Sequence, residues 1–278
     1  MRRSRQIRKI VKITVPTEVS KNTKSSISRG KIANQDIKHV RNAATLPKDN
    51  RGYISNGKKP NYKYGKVDEI WTGETVYLIG GGPSLKNFKW NSLEGKKTIA
   101  INKAITFYPN ADAVYWTDGR VYTWFEKEIN KFKGLKYTIR PKNYPSDVTI
   151  LKRGKKFGLE TSKDIISHGN NSGYAAINLA IHLGAKRIVL LGYDMGSNGT
   201  STHFHNGYPV NATSHKIYKD QFLPGFEILK EEIKGKGIQI FNACPTSNLD
   251  TFRKISIEEA LRLRWSPYIS HKLSLFSF

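Results

Sequence analysis

Residues 75–85 read TVYLIGGGPSL, a short and largely apolar run that leads into three glycines, a proline and a serine. This order predicts a β-strand, a glycine turn and the start of a helix, with Pro83 at the first helical position. Because the turn directly follows a strand, it favours a nucleotide site over a plain tight turn. It is not a Walker loop, since no Gly-Lys-Ser/Thr follows, and Leu85 replaces the third glycine of the dinucleotide fingerprint. We expect Gly82→Val to weaken nucleotide binding much more than folding.

On both sides of the turn, from Trp71 onward, short apolar runs alternate with amphipathic segments, which is the pattern of βαβ units. Strands are predicted at 75–79, 98–101, 113–116, 137–140, 187–191 and 239–241, and helices at 121–131, 172–183, 223–234 and 257–264. The helix at 172–183 is apolar on nearly every side and stops at Gly184, so we expect it to be buried against the sheet. The predicted fold class is α/β, a Rossmann-like, doubly wound and mainly parallel sheet.

Charge separates a basic arm from the rest of the chain. The 278 residues include 47 Lys and Arg against 22 Asp and Glu, a net charge of +25, and residues 1–66 hold 18 of the basic and 3 of the acidic side chains. We therefore predict a largely irregular arm at 1–66 with one short strand at 10–15, a Rossmann-like nucleotide-binding domain at 67–264 and a tail at 265–278. Such an arm attracts polyanions. Nucleic acid is favoured over an anionic membrane because no amphipathic helical stripe is visible, and an idle solvated tail is the alternative.

Composition also excludes some classes of protein. No apolar run approaches the roughly 20 residues that a membrane-spanning helix needs, which excludes an integral membrane protein. Cys244 is the single cysteine, so a disulfide framework and a cysteine-based zinc site are excluded, and we expect a buried structural thiol rather than a nucleophile. No signal-peptide pattern follows Met1, so the expected location is the cytoplasm, that of the host if the protein is viral. The pattern indicates no oligomeric state.

Polar residues follow the predicted strands, where doubly wound folds bind their ligands. They are Gly80, Gly81, Gly82 and Ser84 after the first strand, Asn102 after the second, Thr117 and Asp118 after the third, and Gly192 and Asp194 after the strand at 187–191. Asn171, Ser172 and Gly173 precede the buried helix and offer a capping group and close approach to a ligand, or an ordinary N-cap. Asp118 and Asp194 are suited to bind a ribose hydroxyl, to hold Mg²⁺ or to act as a base.

Three histidines, His203, His205 and His215, lie within 13 residues in the polar loop that follows Asp194. Histidine is a general base near neutral pH or, when neutral, a metal ligand. A zinc site needs further ligands that this spacing does not establish, and solvated loop histidines are the other alternative. Gly199 and Gly207 flank the first two histidines and predict a mobile lid.

Six motifs, in order from about residue 75 to residue 249, carry a resemblance to a known family. They are GGGPSL at 80–85, Asn102, Ser172-Gly173-Tyr174, Gly192-Tyr193-Asp194-Met195, the histidine-rich lid and CPTSNL at 244–249. The set resembles the bacterial lipooligosaccharide sialyltransferases of glycosyltransferase family 42. It is also similar to a wider group of archaeal 6-hydroxymethylpterin diphosphokinase-like proteins and many phage proteins. Members usually have asparagine where Gly81 stands, and the basic arm matches nothing in the motif set.

The resemblance implies a Rossmann-like domain that transfers a sugar from a CMP-sugar-like donor without a metal or other cofactor. It implies that residues 80–84, Asn102 and residues 171–173 hold the phosphate, ribose and base of the nucleotide. His203 or His205 would be the general base, with His215 as the rival, and Tyr208 and Tyr218 would steady the leaving phosphate.

The favoured interpretation is therefore a nucleotide-dependent transferase, in particular a glycosyltransferase with a nucleotide-sugar donor. One alternative is a pyrophosphotransferase that uses ATP and Mg²⁺, with the metal held by Asp118 and Asp194. A second alternative is a non-catalytic nucleic-acid-binding or structural protein on a nucleotide-binding fold.

Overall fold

A computed structural model of the chain describes residues 62–196, 202–205 and 215–263. Its strands are β1 Thr75–Ile79, β2 Lys97–Ile101, β3 Ala113–Trp116, β4 Leu135–Thr138, β5 Val148–Ile150, β6 Lys152–Arg153, β7 Ile165–Ile166, β8 Arg187–Leu191, β9 Gln239–Asn242 and β10 Arg253–Lys254. Eight of them form one sheet in the order β10-β9-β8-β1-β2-β3-β4-β5, and β6 and β7 form a separate ribbon. Every pairing is parallel.

Helices connect the strands on both faces of the sheet. They are α1 Gly119–Trp124, α2 Glu126–Lys131, α3 Ser172–His182, α4 His215–Ile217, α5 Leu223–Ile233 and α6 Ile257–Arg262, and a π-helical segment, Tyr218–Phe222, joins α4 to α5. Short 3₁₀-helices follow β1 at Pro83–Leu85 and β2 at Asn102–Thr106. Among the described helices, none is long and apolar enough to cross a membrane.

The two faces of β1 show why the sheet is covered on both sides. All five of its residues are buried. Val76 and Leu78 pack into a core with α3 and α5, whereas Tyr77 and Ile79 pack into a second core with α1, α2 and α6. A strand that is buried on both faces has a nearly continuous apolar sequence, and residues 76–79 are all apolar. The predicted doubly wound, parallel α/β fold is confirmed.

The strand order reverses beside β1. Strands β2 to β5 extend the sheet to one side of β1, and β8 to β10 extend it to the other. In open parallel sheets the crevice at such a reversal, at the carboxyl ends of the strands, is where ligands bind. The residues that follow β1 and β8, namely 80–84 and 192–195, border this crevice.

The predicted elements differ from the structure in a few places. The strands at 75–79, 113–116 and 187–191 are confirmed to the residue, and the other three are confirmed with shifted ends. The strand predicted at 137–140 lies instead at Leu135–Thr138, because its register is set by pairing with β3. The helix predicted at 121–131 is two helices, since Phe125 leaves the helical region with φ −125° and ψ 32°. Strands β5, β6, β7 and β10 were not predicted, because two or three residues show no periodicity.

The end of the segment predicted as the arm touches the edge of the sheet. Tyr64 forms a parallel bridge with Ile150 of β5, and Gly65 N–H donates to Ile150 O at 2.9 Å. Val67, which follows, is buried in the core beside α3. The strand predicted at 10–15 and the tail at 265–278 lie outside the described residues.

Candidate functional site

The glycine turn after β1 lies against the end of β8. Gly80 N–H donates to Leu191 O at 2.8 Å, and Gly82 N–H donates to Gly192 O at 2.9 Å. A Cβ atom on Gly80 would lie 2.7 Å from Gly192 O, and one on Gly82 would lie 2.6 Å from the same oxygen. Gly192 itself has a φ of 69°, in the left-handed region that favours glycine. Glycine is therefore required at these positions by the close approach of the two strand ends.

Asp194 holds the far side of the turn with both of its carboxylate oxygens. Oδ1 accepts the Ser84 N–H at 2.9 Å and Oδ2 accepts the Ser84 hydroxyl at 2.7 Å. The backbone of Asp194 is held in turn, because Asn248 N–H donates to Asp194 O at 2.9 Å. Asp194 thus positions the turn, and Asn248, part of the CPTSNL motif, positions Asp194.

The remaining glycine of the turn, Gly81, lies under the segment 202–205. Phe204 N–H donates to Gly81 O at 3.0 Å. A Cβ atom on Gly81 would lie 2.9 Å from His203 Cδ2 and 3.9 Å from His205 Nε2. The missing side chain at Gly81 therefore makes room for the His203 imidazole. The structure brings His203 and His205 to the glycine turn.

His203 is oriented by its neighbour in the chain. Thr202 Oγ1 lies 3.0 Å from His203 Nδ1, and Thr202 is buried. In the tautomer that donates Nδ1–H to Thr202, the lone pair is on Nε2, the ring nitrogen nearer the turn. Burial lowers the pKa of His203, so the ring is neutral at pH 7. A neutral imidazole whose Nδ1 lies beside a hydroxyl partner has the protonation state that a general base requires.

His205 belongs to an aromatic cluster that anchors the segment. Its ring stacks on Phe107 with centroids 5.4 Å apart, and Phe204 packs on Phe107 and Trp90 at 4.7 and 5.8 Å. Burial, with the other histidine and Lys103 nearby, lowers the pKa of His205 to about 4. The His205 ring is therefore neutral at pH 7, and its contacts are with the aromatic side chains of the cluster. Thr202, Phe204, Phe107 and Trp90 were not predicted as site residues, because only the fold brings residues 90, 107 and 204 together.

Asn102, directly after β2, combines an uncommon backbone conformation with a buried amide oxygen that lacks a hydrogen-bond partner among the described residues. Its φ of 54° is left-handed, and its buried Oδ1 has no hydrogen-bond partner among the described residues. An unpaired buried acceptor costs about 1–3 kcal/mol, and a left-handed non-glycine residue costs about the same. The other described non-glycine residues with positive φ, Asn170 and Met195, lie at the same edge of the sheet. Asn102 Oδ1 is suited to accept a hydrogen bond from a ligand hydroxyl or amino group.

The start of α3 is bound to the end of β3. Ser172 Oγ lies 2.7 Å from Thr117 Oγ1 and accepts the Thr117 N–H at 3.3 Å. Asn171 caps the helix, since its Oδ1 accepts the backbone N–H three residues later at 2.7 Å. Gly173 O accepts the Tyr193 hydroxyl at 3.0 Å, and a Cβ atom on Gly173 would lie 2.9 Å from the Tyr193 ring. The close approach at Gly173 is thus made by Tyr193.

Asp118 is engaged by an arginine. It caps α1 by accepting the Arg120 N–H at 2.9 Å, and it forms an ion pair with the Arg120 guanidinium at 2.6 Å. Burial alone would raise the pKa of Asp118, but the hydrogen bonds from Arg120 and the charge of Arg140 lower it. This carboxylate therefore has a structural partner, which the sequence did not indicate.

Asp118 and Asp194 do not lie together. Strands β1 and β2 separate β3 from β8, so the two strand ends are about 14 Å apart, three strand spacings. One Mg²⁺ with bonds of about 2.1 Å does not bridge that distance. Within residues 62–196, 202–205 and 215–263, no group of three His, Cys, Asp or Glu side chains converges as metal ligands.

The other predicted site residues are placed only in part. Tyr218 is buried at the start of the π-helical segment. His215 begins α4, but its side chain and the whole of Tyr208 lie outside the described residues. Cys244 is fully buried, as expected, and burial raises the pKa of its thiol.

A buried histidine beside α3 predicts loss of stability in acid. Burial, with Arg153 and Lys156 nearby, lowers the pKa of His168 from 6.5 to about 4. The unfolded chain takes up this proton below pH 6.5 and the folded chain only near pH 4, so stability is lost as pH falls through that window. The loss from His168 is at most about 3 kcal/mol. Urea unfolding at pH 7 and pH 4.5 should show it, and His168→Asn should reduce the difference; an equal pH dependence in the variant would contradict this assignment.

Comparison with known proteins supports the fold. No protein-family model matches the chain, and no curated protein matches it in sequence. The MAf glycosyltransferase from Magnetospirillum magneticum AMB-1 is similar over 75% of this chain, with a TM-score of 0.51 and 15% sequence identity, and the chain spans 38% of that protein. A mutant of the α-2,3/8-sialyltransferase CstII can be superposed on this chain with a TM-score of 0.39 and 17% sequence identity. The match covers 66% of this chain and 87% of the sialyltransferase chain. What the chain shares with the first protein is its fold.

Proposed function

We propose that this protein is a glycosyltransferase that binds a nucleotide-sugar donor in the crevice between β1 and β8. The observation that carries the proposal is the position of the His203 ring, which lies beside Thr202 and directly over Gly81 at the strand reversal. A positioned base at the ligand-binding edge of a doubly wound sheet is the arrangement that transfer to a hydroxyl needs. The shared fold with a glycosyltransferase and the motif resemblance support the same reaction class.

In this proposal the donor contacts two groups that have no partner among the described residues. The Gly81 N–H is the amide of the turn that meets no described acceptor, and it would donate to a phosphate oxygen. Asn102 Oδ1 would accept a ribose hydroxyl or a base amino group. Thr117 and Ser172, at the start of α3, border the same crevice. Gly80, Gly82, Gly192 and Asp194 contribute indirectly, since they hold the turn.

The reaction we propose is a direct displacement. The oxygen of the acceptor hydroxyl attacks the anomeric carbon of the sugar, and the bond from that carbon to the phosphate oxygen breaks. His203 Nε2 takes the proton of the hydroxyl, and the nucleotide leaves with the bonding electrons. Tyr208 and Tyr218 would steady the leaving phosphate, and no metal takes part.

A thermal-shift panel of CMP, CDP, UDP, GDP and ATP, with and without Mg²⁺, tests this function. A nucleotide present at about 100 times its Kd should add roughly 2.7 kcal/mol of stability. We expect CMP or another nucleotide of a sugar donor to stabilise the protein without Mg²⁺. Asn102→Ala should reduce the shift, whereas Asn110→Ala, an exposed asparagine in a turn, should not. Stabilisation by ATP with Mg²⁺ alone would favour a pyrophosphotransferase, and no stabilisation by any nucleotide would exclude both enzymes.

We also propose that the basic arm binds nucleic acid. Its 18 basic side chains can neutralise several phosphates, and log affinity for duplex DNA should fall with log salt at a slope of about −0.9 per phosphate. Deletion of residues 1–61, which spares the Tyr64–Ile150 bridge, should flatten that slope and leave nucleotide binding intact. A full-length protein that binds neither DNA nor RNA at low salt would identify the arm as an idle tail.

A further inference from the structure

A groove with lysines on its rim lies at the sheet edge, away from the strand reversal. It has a volume of about 390 Å³, and its walls include Tyr64, Lys66, Lys152, Ser162, Lys163 and Asp164. One wall is the segment bridged to β5, and the other is formed by the β6–β7 ribbon and the loop before β7. Because β5 is four strands from β1, the groove is about 19 Å from the glycine turn along the sheet. It is therefore separate from the proposed donor site.

The charge of this groove favours an anionic ligand. Three lysines face one aspartate in its walls, a net charge of +2. Lys152 pairs with Asp164 at 2.7 Å and Lys163 pairs with Glu69 at 3.1 Å, yet all four side chains are between 29% and 51% exposed. Lys66 is exposed and forms no ion pair with a described residue. In the sequence, the wall formed by residues 64–66 directly follows the most basic part of the chain.

Aromatic side chains interleave with the lysines here. The sequence at 62–66 is YKYGK, and Tyr64 is 46% exposed although it is bridged to the sheet edge. The Tyr62 ring supports it edge-on, with centroids 5.7 Å apart. Exposed aromatic rings between cations bind single strands, because unpaired bases stack on the rings while the cations contact the phosphates. Bases in a duplex already stack on each other, so they are not available to stack on a tyrosine ring. The volume of the groove is within the range that accommodates one nucleotide.

We infer that the groove between residues 64–66 and the β6–β7 ribbon binds single-stranded nucleic acid. One base stacks on Tyr64, and Lys66, Lys152 and Lys163 contact the adjacent phosphates. The arm adds attraction that does not distinguish single strands from duplexes, whereas the groove adds the preference for unpaired bases. This inference does not depend on the proposed transferase reaction.

Fluorescence anisotropy of the full-length protein with labelled oligo(dT) and a duplex of equal length, over a range of salt, tests the inference. We expect tighter binding to the single strand. Tyr64→Ala should weaken that binding about 5- to 150-fold with little change in salt slope, and Tyr64→Phe should retain it, because stacking needs the ring only. Lys66→Ala should reduce the slope by about 0.7, one phosphate contact on a single strand. Lys230→Ala, an exposed lysine on α5, should change neither quantity.

The outcomes that overturn the inference are specific. Equal affinity for single strand and duplex, or unchanged affinity in Tyr64→Ala, would remove the stacking role. Binding to phosphatidylserine vesicles but not to oligo(dT) would make the surface a membrane contact. A melting temperature close to that of the wild type in Tyr64→Ala is the control that the variant is folded. The nucleotide panel probes the crevice between β1 and β8 and not this groove. Failure of the oligo(dT) experiment would therefore leave the transferase proposal intact, and failure of the nucleotide panel would leave the groove proposal intact.

Discussion

His203→Ala is expected to lower turnover by about 100- to 10,000-fold and to leave nucleotide affinity nearly unchanged. His203 is the histidine with its Nδ1 beside Thr202 and its ring over the turn, so its removal takes away the proton acceptor but not the donor contacts proposed for Asn102 and Gly81. Turnover is measured as release of free nucleotide from the donor that the thermal-shift panel identifies. Nucleotide affinity is measured by titration of the same variant.

The matched controls are the other two histidines. His205→Ala should lower turnover less, because the pKa of His205 is about 4 and the ring stacks on Phe107. His215→Ala tests the other histidine that the sequence offers as a base.

The pH dependence of turnover gives a second test of His203. Because burial lowers the pKa of His203, activity should be retained as pH falls to 6.5 and should be lost at lower pH, where the ring takes up a proton. Full turnover in His203→Ala would refute its role, and loss on chelation with recovery on added zinc would identify the histidines as metal ligands.

Gly82→Val is expected to destabilise the fold by about 3–6 kcal/mol, from overpacking and the loss of charged hydrogen bonds. A Cβ atom at this position would overlap the Asp194 carboxylate and lie 2.6 Å from Gly192 O. The overlap with Asp194 displaces the carboxylate that binds Ser84. The contact with Gly192 O involves the backbone at the end of a buried strand, which cannot move aside. This differs from the sequence-based expectation that valine here would weaken nucleotide binding much more than folding. Urea unfolding of the variant, if it folds, measures the loss.

Gly81→Ala is the matched control one residue away. A Cβ atom there would meet the His203 ring, 2.9 Å from Cδ2, with no backbone atom among its closest contacts. Gly81 is also not among the described glycines with positive φ, so alanine fits its backbone. The loss of stability should be smaller than in Gly82→Val, because only a side chain has to move, while displacement of His203 lowers turnover. Wild-type stability in Gly82→Val would contradict the close packing at Gly82. Unfolding of Gly81→Ala would contradict the assignment of Gly81 as a position that only makes room for the His203 ring.

The candidate site was predictable only in outline. Rossmann-like sheets collect the residues after each strand at one edge, so the positions of residues 80–84, Asn102 and Asp194 followed from the strand predictions. The interactions that these residues make could not be predicted from the strand positions. Asp194 was considered for ribose, metal or proton transfer, but it is engaged by Ser84, and Asp118 is engaged by Arg120. A carboxylate after a strand looks the same in sequence whether a ligand or a neighbouring side chain satisfies it.

The amino-acid sequence by itself determined the central strands and the fold class, because a strand that is buried on both faces has a recognisable apolar pattern. The apolar runs at 76–79, 113–116 and 188–191 are bounded by polar or glycine residues, and each lies in a strand of the central sheet. Only the tertiary structure decided which polar groups meet. Ser84 and Asp194 are 110 residues apart, and they touch because β8 lies beside β1 in the sheet. The placement of the 202–205 segment on Gly81 depends on the same strand order, which no local pattern encodes, since hydrophobic periodicity specifies what is buried and not which strand lies next to which.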